Sequence, residues 1–257
     1  MIEIGWFLNA LLFLFCPTAS TSVPYGGWSA PVQTQPLELK IPPPLRPVPP
    51  RIVFHGGRAI RKVALTFDAC STGEPGLYDD RITTVLIGTN TKATIFLGGA
   101  WMENQADHTR QLASNPLFEL GNHAYLHPHM TQIGAERIRD ELLRTQAVLF
   151  YLTGKQPALF RPPYGEYDSN LVNIAAECGL TTIQFDLASG DPDKHFMKEK
   201  LIDWVSNARS GSIIVMHINR RGWHTAEALP EIIARLRARG LELVTVSELL
   251  AMPLPSP

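Results

Sequence analysis

Cysteine is scarce: Cys16, Cys70 and Cys178 are the only three in 257 residues, and no CxxC pair occurs. That excludes a disulfide-stapled scaffold and a thiolate zinc site. Excess charge of either sign is also missing, with 23 Lys and Arg against 24 Asp and Glu. No basic surplus calls for nucleic acid or an anionic membrane surface. No apolar run reaches the roughly 20 residues of a bilayer span, and no internal repeat is visible. The longest apolar stretch, 4–15, is followed by Thr18, Ala19, Ser20, Thr21 and Ser22, small residues that suit a cleavage site. The segment before it carries Glu3 and no Lys or Arg, against the usual pattern of an export signal. Residues 1–20 are therefore read as a signal peptide or an uncleaved anchor, the one route to a membrane.

Proline, by contrast, is concentrated. Ten of the 21 prolines lie between Pro17 and Pro50, including Pro42-Pro43-Pro44. Repeated prolines remove backbone donors and favour an extended, solvated chain, so 21–51 reads as a semi-rigid spacer. An ordered arm wrapped on the domain is the other reading. From 52 to 252 the texture changes to that of one domain of about 200 residues. Apolar runs at 62–67, 93–97, 117–120, 158–160, 181–185, 212–216 and 241–246 predict seven strands. Helical stretches at 77–86, 102–113, 135–152, 170–177, 198–208 and 225–239 alternate with them. Alternation implies parallel pairing. The expected fold is a distorted (β/α)7 barrel related to the (β/α)8 type, with an open doubly wound sheet as the alternative.

Barrels carry their chemistry at the C-terminal ends of strands. Here Asp68 follows the first strand, Asn122 and His123 the third, Arg161 the fourth, Asp186 and then Asp191 the fifth, and His217 the sixth. Asp at a strand-to-helix turn is also a common helix cap, and for Asp186 or Asp191 alone the two readings are balanced. His123 and His127 are spaced to reach one metal ion. Pro128 moves His127 out of helical geometry, which makes a loop chelate the expectation. In Arg161-Pro162-Pro163-Tyr164-Gly165, Arg161 suits a bidentate grip on a carboxylate, and the stiff turn suits a backbone N–H aimed at an oxyanion.

Five segments stand in order: Thr66-Phe67-Asp68, His123 to His127, Arg161 to Gly165, Ser189-Gly190-Asp191-Pro192 and Ile214-Val215-Met216-His217. Together they resemble the polysaccharide deacetylase family, also called the NodB-homology or carbohydrate esterase 4 family, from about Val63 to Leu250. The resemblance implies that Asp68 is the general base and His217 the general acid, oriented by Asp191. Arg161 would hold Asp68, the Tyr164 backbone N–H would bind the oxyanion, and Val215 would line the acetyl pocket. His123 and His127 would hold one divalent ion, zinc by preference. Tyr125, Tyr164 and Trp223 are candidates to stack on sugar rings. The implied reaction is hydrolysis of N-acetyl groups on a peptidoglycan- or chitin-like polysaccharide or oligosaccharide outside the cytoplasm. A small amide or cyclic imide substrate, and a glycan-binding relic, are the alternatives.

Two positions depart from the family pattern. Ala69 stands where a second, metal-ligating Asp is usual, and Pro192 stands where Trp is usual. Asp79, Asp80, Asp68 itself or water are the candidates to replace the missing ligand. The apolar run and the small residues after it predict export, with a mature chain that begins near Ser20 to Ser22. Mass spectrometry of protein from its native host tests this, and an intact Met1 in a cytosolic fraction would contradict it.

Overall fold

Alternation along one strand sets the geometry of this protein. In β2 (Lys62–Ala69; β1 is Ile52–Val53) the side chains of Val63, Leu65, Phe67 and Ala69 join the apolar cluster that the helices cover, while Ala64 belongs to a different cluster. Side chains two apart share a face, so Ala64, Thr66 and Asp68 point to the other side of the sheet. The same rule applies at the end of the chain's main strands, and it delivers polar groups to one concave interior.

The computed structural model describes residues 43–71 and 76–251, all within one compact unit. After β2 come α1 (Asp80–Gly88), β3 (Ala93–Leu97), α2 (Gly99–Asn104), α3 (Ala106–Ser114), β4 (Phe118–Asn122), α4 (Ala135–Thr153) and β5 (Leu159–Phe160). Then follow α5 (Ser169–Glu177), β6 (Thr181–Ile183), β7 (Leu187–Ala188), α6 (Lys198–Ser206), β8 (Ile213–His217), α7 (Thr225–Ala238), β9 (Glu242–Leu243) and α8 (Val246–Leu250). The strands pair in parallel in the order β1-β6-β5-β4-β3-β2-β8-β7, with β9 against the start of β2. Because the chain runs from β6 straight into β7, residues 181–188 touch β5 at one end and β8 at the other. The sheet therefore curls into a half-barrel. Helices follow the strand order around it, α4 between α3 and α5, and α7 between α6 and α1. That is the barrel arrangement, and it excludes a doubly wound sheet with helices on two faces.

All seven predicted strands are present, and β1 and β7 add two short ones. The helix expected over 102–113 is two helices, which meet at Gln105. The last strand, expected over 241–246, is only Glu242–Leu243. The reason is a capping box: the Thr245 hydroxyl accepts from Glu248 N and the Glu248 carboxylate accepts from Thr245 N, and this starts α8. The end of the proline-rich stretch is held against the domain, with Val48 N donating to Ala176 O at 2.9 Å and Gln156 Nε2 to Pro43 O at 2.8 Å. The apolar run at 4–15 and the spacer up to residue 42 lie outside the described residues. Among the described residues no helix is long and apolar enough to cross a membrane. Cys70 and Cys178 are both buried and form no disulfide.

Gly121 pairs in register with Phe96 across β4 and β3, and a Cβ on Gly121 would meet the Phe96 ring at 2.5 Å. The ring cannot retreat, because the Arg161 guanidinium lies 4.2 Å from its centroid. Gly121→Ala is expected to lower stability by about 1–3 kcal/mol through overpacking. A chemical-denaturation midpoint within error of wild type would refute this.

Candidate active site

Asp68 ends β2 on the concave side and is buried. Across the β2–β8 ladder its register partner is His217, so a carboxylate and an imidazole stand on adjacent strand ends. Arg161, just past β5, enters the interior with 1% of its surface exposed. Its Nη1 donates to Asp68 Oδ1 at 2.9 Å and to Thr66 Oγ1 at 2.7 Å, while Nη2 reaches Gln184 O at 3.4 Å. The grip on Asp68 is thus through one nitrogen, not the bidentate fork expected from the sequence, because the guanidinium is shared with Thr66 and the backbone. Burial alone would raise the Asp68 carboxyl. Arg161, with help from His123 and His217, outweighs it and holds Asp68 below the usual carboxylate range.

Asp191 lies in the loop after β7 and is 1% exposed. Its carboxylate accepts from His217 N (2.8 Å), His217 Nδ1 (2.8 Å) and the Thr225 hydroxyl (2.7 Å). The bond at Nδ1 fixes the ring and leaves Nε2 for the site. Burial would lower the imidazole's pKa, but Asp191 reverses the sign and raises it. Asp186 has a structural role instead. It accepts from Arg58, Ser212 and Ile213 N and ties the β6–β7 segment to β8.

His123 follows β4, and its Nδ1 donates to Arg161 O at 2.8 Å, which turns Nε2 to within 3.8 Å of Asp68 Oδ2. The His127 ring sits edge-on to His123, centroids 4.9 Å apart. His127 has a left-handed backbone, φ 59°, so the pair is a loop pair, as Pro128 implied. Burial holds both imidazoles neutral. His127 falls to about 3, with the neighbouring His123 adding to the effect. His127 Nδ1 is buried and has no hydrogen-bond partner. Two neutral imidazoles, one of them oriented by a carbonyl on its far nitrogen and one with a vacant ring nitrogen, fit a divalent ion. No group of three or more His, Cys, Asp or Glu able to share an ion occurs among the described residues. Ala69 faces the helix-side apolar cluster. Asp79 caps α1 and gives both carboxylate oxygens to Arg81, and Asp80 is exposed in the first turn of that helix. Asp68 is the carboxylate beside His123.

Tyr164 has a left-handed backbone, φ 58°, in the turn after Arg161. Its ring meets the edge of His127 at 4.5 Å and stacks on His129 at 4.1 Å, and His129 is held by Glu166 at 2.9 Å. Tyr164 and Trp223 are half exposed, and Trp223 N donates to Asp191 O. Val215 points inward two residues before His217, in register with Thr66. Tyr125, a candidate for sugar contact, turns elsewhere. Its hydroxyl donates to Glu103 and its ring lies under Arg144, 4.0 Å away, so it packs against α2 and α4. Its backbone is what matters here. The N–H groups of Tyr125 and Leu126 donate to Glu141, a buried carboxylate that the sequence motifs do not single out. An acid three residues after Ile138, on the buried stripe of α4, is the available signal.

Residues 55–183 match the family model described as polysaccharide deacetylase. Among curated relatives, the chain is 28% identical to the uncharacterized protein YlxY of Bacillus subtilis, over 80% of this chain and 62% of that one. It is 30% identical to a peptidoglycan-N-acetylglucosamine deacetylase of Bacillus cereus, over 75% of this chain and 70% of that one. It is 27% identical to the peptidoglycan-N-acetylmuramic acid deacetylase PdaA of Bacillus subtilis, over 79% and 78%. The chain thus spans less than two thirds of YlxY. Among solved structures, a family 4 carbohydrate esterase pseudoenzyme from Bacillus anthracis superposes with a TM-score of 0.71 at 28% identity, over 79% of this chain and 69% of that one. A mutant of that protein is described as having restored enzymatic activity. A peptidoglycan N-acetylglucosamine deacetylase superposes with a TM-score of 0.70 at 28% identity, over 79% and 94%. Curled parallel sheet, ordered motifs and matched relatives agree: this chain belongs to the polysaccharide deacetylase family.

Proposed function

We propose that this protein is a metal-dependent amide hydrolase that removes N-acetyl groups from an N-acetylated glycan of the peptidoglycan or chitin type. The observation that carries the proposal is the pairing of Asp68 and His217 on adjacent strand ends, each buttressed by its own buried, oppositely charged partner. The two environments push the groups apart, the carboxyl down and the imidazole up. Near neutral pH that favours an ionised base beside a protonated acid. Relatives named as acting on N-acetylglucosamine and on N-acetylmuramic acid in peptidoglycan support the substrate class. The apolar run at 4–15 supports a protein that reaches such a glycan outside the cytoplasm.

His123 and His127 would hold the ion, zinc by preference. When bound, a divalent ion polarises the acetyl carbonyl and makes water more acidic. Asp68, fixed by Arg161, accepts the proton from the attacking water. The Tyr164 backbone N–H serves the oxyanion, and Val215 borders the methyl group. His217 Nε2 donates a proton to the departing nitrogen as the C–N bond breaks. The products are acetate and a free amine on the sugar. Acetate release from N-acetylated glycan oligomers is the direct test, and Asp68→Ala should lower the rate by about 10²–10⁴-fold. His217 acts in its protonated form, so activity falls as pH rises through its pKa. Asp191→Asn removes the charge that raises that pKa, and the alkaline limb of the pH–rate profile should move to lower pH. An unmoved limb would remove His217 from the acid role.

A second reading has specific support. Ala69 withholds a carboxylate, and a pseudoenzyme shares the fold. On that reading the chain binds glycan without cleaving it. The response to zinc separates the two. Because Ala69 faces the helix-side apolar cluster, away from Asp68, the carboxylate of Ala69→Asp would be buried there without a partner, and the variant should melt below wild type with or without zinc. With zinc, a working His123 and His127 site should raise the melting temperature of wild type. No zinc response in either protein would favour the binding reading.

A further inference from the structure

Glu141 has no exposed surface, and its hydrogen bonds run to Tyr125, Leu126 and Arg137 and not to Asp68 or His217. Its Oε2 accepts two consecutive backbone N–H groups, Tyr125 at 2.8 Å and Leu126 at 2.7 Å. Its Oε1 accepts from Arg137 Nη2 at 2.6 Å, one turn earlier on α4. Successive N–H groups alternate in a strand but converge in a turn that includes a left-handed residue, and such a concavity binds anions. The departure is at Ala124, φ 59°, immediately before the two donors.

The rest of the loop is tied with equal completeness. Asn122 Oδ1 accepts from Ala124 N at 2.9 Å, and Asn122 Nδ2 donates to Leu142 O at 2.9 Å. Gly99 N and Ala100 N donate to the carbonyls of Ala124 and Tyr125, each at 3.0 Å. Between His123 and His127, the Glu141 carboxylate is the one charged group in this set. Beyond it stands His127, in a left-handed conformation that residues with side chains disfavour. Without that side-chain oxygen, two N–H groups lose their acceptor and nothing else in the set holds Tyr125 N and Leu126 N. The loop would then relax toward ordinary backbone angles and carry His127 away from His123.

We propose that Glu141 is a positioning residue: a buried acceptor that fixes the separation and orientation of His123 and His127 by occupying the concavity between them. The inference rests on the reading of those histidines as metal ligands. The test measures zinc affinity by competition with a chelating dye for wild type and for Glu141→Gln, Glu141→Asp and Glu141→Ala. Glu119→Ala is the control, since Glu119 also accepts a hydroxyl and a backbone N–H, those of Thr94 and Ser247, but sits near the other end of β4. Gln keeps an oxygen that can accept both N–H groups and should stay within about threefold of wild type. Asp retains the charge but is one methylene too short. It and Ala should weaken zinc by about tenfold to a hundredfold. Glu119→Ala should lower the melting temperature and leave zinc affinity alone. Should Glu141→Ala not fold, Glu141→Asp decides. Wild-type affinity in folded Asp and Ala variants would overturn the proposal. If wild type itself takes up no zinc, the metal-dependent reading falls, and amide exchange then decides the inference. Tyr125 and Leu126 N–H should exchange at least about tenfold faster in Glu141→Asp than in wild type, with β2 amides unchanged; equal protection would overturn it.

Discussion

The interior of this half-barrel is organised around one buried ion pair, Arg161 with Asp68. A guanidinium almost fully removed from water is tolerable only if its charge and its donors are answered locally. Asp68 and Thr66 answer Nη1, the Gln184 carbonyl answers Nη2, and the face of Phe96 lies beneath the plane. Arg161 Nε alone lacks a partner. Removal of either member of such a pair leaves a buried charge uncompensated, at a cost of about 3–5 kcal/mol. The surroundings follow from this. Gly121 is a glycine because the Phe96 ring needs the space, and the Arg161 carbonyl, fixed by the same anchoring, aims the His123 ring.

Two buried carboxylates serve opposite ends. Asp68 is answered by a permanent cation and stays ionised. Asp191 is answered by an imidazole whose pKa it raises, by the backbone N–H of the same residue and by a hydroxyl. A fixed positive charge beside one and a titratable group beside the other suits the first to the proposed role of proton acceptor and the second to that of an orienting group. The chemistry is thus assigned by partners, since the two side chains are identical.

Much of this was legible in the sequence because apolar runs end where polar residues begin. Asp68, His123, Arg161 and His217 each terminate such a run, and a parallel sheet gathers strand ends on one rim. What escaped was of three kinds. Local hydrogen bonding overrode apolar pattern at Thr245, where the capping box cut a strand short. Side-chain direction at a loop was not readable, so Tyr125 looked like a rim aromatic when its ring belongs to α2 and α4. Long-range satisfaction of backbone groups left only a faint trace, an acid on the apolar stripe of α4 at Glu141. The strand period also bears on position 69: since Asp68 faces inward, Ala69 faces the helices, where a small apolar side chain is at home.

That Asp68 and His217 are register partners has a consequence for how this scaffold can change. Their spacing is set by the lattice of the sheet, about 4.8 Å between neighbouring strands, and not by any loop. A loop can lengthen, shorten or acquire new side chains without moving Asp68 and His217, the proposed proton acceptor and donor, relative to each other. Reaction geometry and substrate choice are therefore inherited separately in this fold: the first from hydrogen bonds between two backbones, the second from the segments that cross the rim.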